Sequence, residues 1–179
     1  MQSHADRDLV RRTVATALLL AVAAVLGYLE SVLVPPLPIP GLRIGLANVA
    51  VVFALATLGP RAAVTVSLGR VFVVALATGS LASPVFALSF GGALAALVVM
   101  VALASAGSHF SVIGWSVGGS AAHVAGQLLV ATMLVGSGAP LALAPVSLAL
   151  SLPVGLAVGY ITRLLLSRIP DVSLSVAGR

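Results

Sequence analysis

Long apolar stretches separated by short clusters of proline, glycine, serine and arginine set the pattern of this sequence. The first stretch covers about 12–33, and at ~1.5 Å per residue a helix of that length crosses the ~30 Å hydrocarbon layer of a bilayer. It stops at Pro35, Pro36, Pro38 and Pro40, because proline lacks an amide donor and biases its predecessor away from helix. A second apolar segment, about 45–58, is short for a full crossing. It therefore predicts burial by neighbouring helices, or a first turn that lies within the preceding loop. Gly59-Pro60-Arg61 turns the chain into a third helix that ends near Gly79. Pro84 suits the first turn of a fourth, about 84–105. After a polar break over 107–111 a fifth covers 112–135, and a turn over 136–140 leads to a sixth, about 141–166, which Pro145 and Pro153 are expected to kink.

Composition agrees that these segments belong in lipid. Of the 179 residues, 60% are hydrophobic and 7% charged, and the mean hydropathy is +1.22. Too few charges exist to coat a water-facing surface. The fold expected is an all-α membrane protein, a bundle of six transmembrane helices over 12–168, with a polar leader at 1–11, disordered or interfacial, and a tail at 169–179. The apolar run from Thr13 lacks a small-residue cleavage site after it and reads as a retained span, not a signal peptide. Six spans put both termini on one side. With that side cytoplasmic, Arg7, Arg11, Arg12, Arg61, Arg163, Arg168 and Arg179 are inside and Arg43 is outside, in accord with the positive-inside bias. Arginines that flank apolar segments orient a membrane protein, whereas a nucleic-acid binder clusters them on a solvated face, so the pI near 11.5 does not predict nucleic-acid binding.

Against this background the polar residues within the spans call for an explanation. An ionisable group in hydrocarbon costs about 2.5–3.5 kcal/mol on insertion scales. Arg70 falls near the middle of the third span and His123 at a similar depth in the fifth, with Gln127 one turn further on the same face. Glu30 is near the outer end of the first span, Asn48 about a turn into the second, and Arg43 in the loop between them. One reading has Glu30, Arg43, Asn48 and Gln127 converge on a pocket open to the outside, with Arg70 and His123 as its floor, as a solute-binding membrane protein requires. The other is structural: Glu30 pairs with Arg43 at the interface, and Asn48 or Gln127 ties neighbouring helices together. Two arginines suit an anionic or carboxylate-bearing solute. Ala17 with Ala21, and Gly91-Gly92 with Ala95-Ala96, make smooth faces at four-residue spacing, the first near the cytoplasmic end where a partner subunit has room to dock.

Several chemistries are absent. Without cysteine there is no disulfide, thiolate metal site or cysteine nucleophile. Without lysine there is no phosphate loop of the ATPase type. Asp6, Asp8 and Asp171 all lie in the terminal segments, so no aspartate pair within the membrane is available to hold magnesium against a diphosphate, and no aspartate stands near His123 to build a hydrolase triad. His109, His123 and Glu30 lie on three elements at different depths, which does not suit a metal. Neither a catalytic centre, nor a metal, nor a cofactor is expected.

Taken together, Glu30, Pro40-Gly41-Leu42-Arg43-Ile44-Gly45-Leu46-Ala47-Asn48, Ser67-Leu68-Gly69-Arg70, Ser83-Pro84, Phe110-Ser111-Val112-Ile113-Gly114, His123 and Gly126-Gln127 resemble the Gx transporter family over about 12–168. That family also carries the label heptaprenyl diphosphate synthase component I, and it is similar to the substrate-binding S components of energy-coupling factor (ECF) transporters. The resemblance implies a multi-pass protein of the bacterial cytoplasmic membrane that captures a small solute beside a transmembrane coupling subunit and two ATPases. It also implies that Ala17 and Ala21 form the docking face. The synthase label implies an alternative, a non-catalytic membrane subunit in polyprenyl diphosphate or quinone synthesis.

Overall fold

The computed structural model describes residues 4–33 and 45–169. The proline-rich connection with Arg43, and the tail from residue 170, lie outside the described residues. The helices are α1 (His4–Leu33), α2 (Leu46–Thr57), α3 (Pro60–Ala77), α4 (Pro84–Ser105), α5 (Val112–Val135) and α6 (Ala144–Ser167), with short 3-10 turns at Gly107–His109 and Ala139–Leu143. No strand occurs among the described residues.

The punctuation expected from the sequence starts most of these helices. Pro60 and Pro84 occupy first turns, where the missing amide hydrogen is not needed. The Ser83 and Ser111 hydroxyls cap α4 and α5 by accepting the amide hydrogens of Phe86 and Gly114. α5 ends at Gly136, whose φ of 68° is the left-handed conformation that favours glycine. Helix α1 extends back to His4, and Asp6 in its first turn complements the helix dipole. One expectation is corrected. Pro145 does not kink α6. The 3-10 turn takes the residues before it, which leaves Pro145 in the first turn and Pro153 as the interior proline.

Five segments are long and apolar enough to cross a membrane: α1, α3, α4, α5, and α6 together with its preceding 3-10 turn. α2 has 12 residues, which at ~1.5 Å each falls well short of ~30 Å. It lies inside the bundle, with Ala47, Ala50, Val51, Val52, Ala54 and Leu55 all buried. The core is mostly alanine and valine, and many large apolar side chains point outward, with Leu18, Val98 and Tyr160 exposed and Met133 at 78% exposure. Such a surface is untenable in water and ordinary in lipid. Lipid tails are as apolar as leucine, so association rests on close van der Waals approach, which small residues permit.

Contacts fix the directions of the helices. Leu20 packs on Gly69 and Val74 on Gly27, so α1 and α3 run parallel. Met100 packs on Gly119 and Val130 on Gly91, so α4 and α5 run antiparallel; Ile113 meets Gly159 and Ser116 meets Gly155, so α5 and α6 do too. The starts of α1 and α3 and the end of α6 therefore share one end of the bundle, and they carry Arg7, Arg11, Arg12, Arg61, Arg163 and Arg168.

Candidate functional site

At the other end, where α1 and α3 finish and α2 and α4 begin, a cavity of about 90 Å³ opens among the helices. By the ~10–15 Å³ that one water needs, it holds at least six waters, or a solute of on the order of ten non-hydrogen atoms. Every helix from α1 to α6 contributes to its wall.

The N-terminus of α2 organises the polar side. Gly45, at φ 77°, turns the chain into the helix, and its own position supplies no side-chain cap. Glu30 of α1 takes that role by accepting the amide hydrogen of Leu46, so a carboxylate meets the positive end of α2's dipole. Two residues on, the Asn48 side-chain oxygen accepts a hydrogen bond from Arg70 Nη2 at 2.8 Å. That bond ties α2 to α3 and aims a guanidinium that is only 9% exposed. Glu30→Ala is expected to destabilise the protein by about 1 kcal/mol through the lost cap, whereas Glu30→Gln keeps an acceptor and most of that stability. Thermal unfolding of the two variants in detergent checks this.

His123 of α5 lines the same cavity and faces Gly92 of α4, where a Cβ would lie 2.8 Å from Nε2. The glycine makes room for the imidazole. Gly92→Ala is expected to fold, because the clash falls on the movable ends of His123 and Gln127, and to lower affinity for any cavity ligand about tenfold by moving His123. Ligand titration beside a melting curve separates the two effects.

The structure thus brings Glu30, Asn48, Arg70 and His123 to one cavity. Gln127 is set apart: it is 6% exposed, its side chain packs on Gly92 at the α4–α5 seam, and it is not part of the cavity wall. Like His123 it packs on Gly92, but its turn of α5 does not reach the cavity wall. Arg43 lies outside the described residues. Ala17 and Ala21 are exposed near the middle of α1, and neither is part of the cavity wall.

Sequence reasoning missed the hydroxyls. Ser31, Thr78, Ser80, Ser89, Ser120 and Ser151 also line the cavity. A signal for two of them was present. Ser120 precedes His123 by one helical turn, and Ser147, Ser151, Gly155 and Gly159 recur every fourth residue along the α6 face that meets α5. That face packs closely: Ser116 Oγ donates to the Gly155 carbonyl at 2.8 Å. The remaining wall is apolar, with Val71, Val74 and Phe86 from α3 and α4 and Val154 from α6. Phe86 is held in a cluster with Phe72 and Phe90, at ring-centroid separations of 5.3 and 5.8 Å.

The arrangement offers hydrogen-bond donors and acceptors at fixed positions around a space the size of a small molecule. No curated protein and no solved structure matches the chain. A family model does, over residues 19–165, which run from the middle of α1 to the last turn of α6 and include each cavity-lining residue. By that match the chain belongs to the heptaprenyl diphosphate synthase component I family.

Proposed function

We propose that this chain is a membrane-embedded binding subunit that captures a small polar solute in the cavity around Arg70 and serves its uptake into the cell. The observation that carries the reading is the convergence of every helix on one cavity that contains both a guanidinium and a carboxylate within an otherwise apolar bundle. Each such group costs about 2.5–3.5 kcal/mol to insert, and a role in ligand recognition accounts for that expense. In this reading the fold is a six-helix S-component-like bundle with the arginine-rich end cytoplasmic, as the positive-inside bias favours. The cavity then faces outward. The exposed Ala17 and Ala21 offer a smooth surface toward a transmembrane coupling subunit, with ATPase subunits beyond it.

The absence of cysteine makes the orientation simple to test with single-cysteine variants. Ser80→Cys, at the cavity end, is expected to react with a membrane-impermeant maleimide in intact cells, and Ser167→Cys, at the end of α6, only after permeabilisation. The reverse pattern overturns capture from outside.

The family's description supports a second reading, a non-catalytic membrane subunit that assists a prenyl diphosphate synthase. One experiment separates the two. Cells that lack the chain, or carry Arg70→Ala, are compared with wild type for small molecules depleted from the medium and for polyprenyl chain length. Solute capture predicts that the same small molecule stays in the medium in both strains. A shortened polyprenyl product with unchanged uptake establishes the second reading instead.

A further inference from the structure

The charges that line the cavity specify more than polarity. Glu30 and Arg70 meet the same first turn of α2, one at the Leu46 amide and the other at the Asn48 side chain, two residues apart. Glu30 and Arg70 give the cavity wall one acidic and one basic side chain among its described residues. We infer that it selects a zwitterion: a solute with one anionic and one ammonium-type group on a short apolar body. The inference rests on the solute-binding reading above and sharpens it from an anionic ligand to an amphoteric one.

The inventory of donors and acceptors points the same way. Arg70 is donor only. Glu30 accepts, and one amide hydrogen leaves most of its lone-pair sites for other donors. Ser151 and Ser31 direct their hydroxyl hydrogens to the carbonyls of Leu148 and Tyr28, so each leaves lone pairs for a ligand's donor. A plain anion meets Arg70, but it brings these acceptors no donor and its charge opposes Glu30. A plain cation reverses the fault. A molecule with both groups answers both sides, and Val71, Val74, Phe86 and Val154 cover a few carbons of its body. The volume suits about ten non-hydrogen atoms.

The test uses full-length protein in lipid nanodiscs and four probes that share an isobutyl group: leucine, 4-methylpentanoate, 3-methylbutylamine and 4-methylpentanamide. Isothermal titration is expected to give leucine at least about tenfold tighter binding than the other three. Glu30→Gln, which keeps an acceptor for Leu46, shifts preference toward 4-methylpentanoate by about tenfold, and Arg70→Gln shifts it toward 3-methylbutylamine; purely structural roles lower all four affinities alike. Equal or tighter binding of the anion, the cation or the amide overturns the inference and leaves solute capture standing. If no probe binds, the molecule that co-purifies decides: a zwitterion supports the inference and a net-charged or uncharged one overturns it. No binding and no co-purified molecule refute solute capture itself, and this inference with it.

Discussion

Arg70→Ala is expected to weaken solute binding by on the order of 30- to 3,000-fold, the equivalent of about 2–5 kcal/mol for loss of one member of a buried, hydrogen-bonded charged contact. The guanidinium is nearly buried, bonded to Asn48 and part of the cavity wall. Its removal takes away the charge that the ligand's anionic group would meet and leaves the Asn48 oxygen without that donor. Arg70→Lys keeps the charge and loses the planar fork, so it falls between the two. Melting temperature serves as the control. Burial of a charge is itself costly, so the alanine variant is expected to lose little stability while it loses affinity. A large fall in stability with unchanged affinity makes Arg70 a packing element only.

The second large effect falls on stability. At Gly155 a Cβ would stand 2.8 Å from the Val117 Cα and 3.1 Å from the Ser116 carbonyl oxygen, and at Gly126 it would stand 2.7 Å from the Gly91 carbonyl oxygen. These neighbours are backbone and cannot turn aside. Gly155→Leu and Gly126→Val therefore push α5 away from α6 and from α4, at a cost of about 3 kcal/mol or more each. The expected results are loss of a cooperative melting transition and poor recovery as a single species in detergent. Gly138 is the control, since a Cβ there meets nothing within 4 Å and its φ of −74° suits any residue. Gly138→Ala is expected to change stability by less than about 0.5 kcal/mol.

The elements that were legible in the sequence are those marked by local chemistry. Pro84 and Ser111-Val112 announce the starts of α4 and α5 because capping and first-turn proline act within a few residues. The shortness of α2 was legible too, and with it the need for burial. What stayed hidden was rotation about each helix axis. In a soluble bundle the contrast between polar and apolar faces shows which side points inward. Here lipid and core are both apolar, so nothing in the pattern showed that His123 reaches the cavity while Gln127, packed on the same Gly92, does not. Glu30 was legible as an anomaly near the end of α1, yet its engagement with the Leu46 amide depends on where α2 folds back, which no local pattern encodes. The hydroxyl of Ser89 was hidden for the same reason. Serine on a membrane helix commonly bonds its own backbone, as Ser167 does with Leu164, so its type alone does not signal a site.

The claim that the cavity is a solute site is tested most directly by native mass spectrometry of the protein purified from its own membranes, wild type beside Arg70→Gln. The account predicts a single small-molecule adduct on the wild type that is absent from the variant, with both proteins folded by their melting curves. A wild type that carries no adduct and binds none of the four probes, or an adduct retained unchanged by Arg70→Gln, contradicts it.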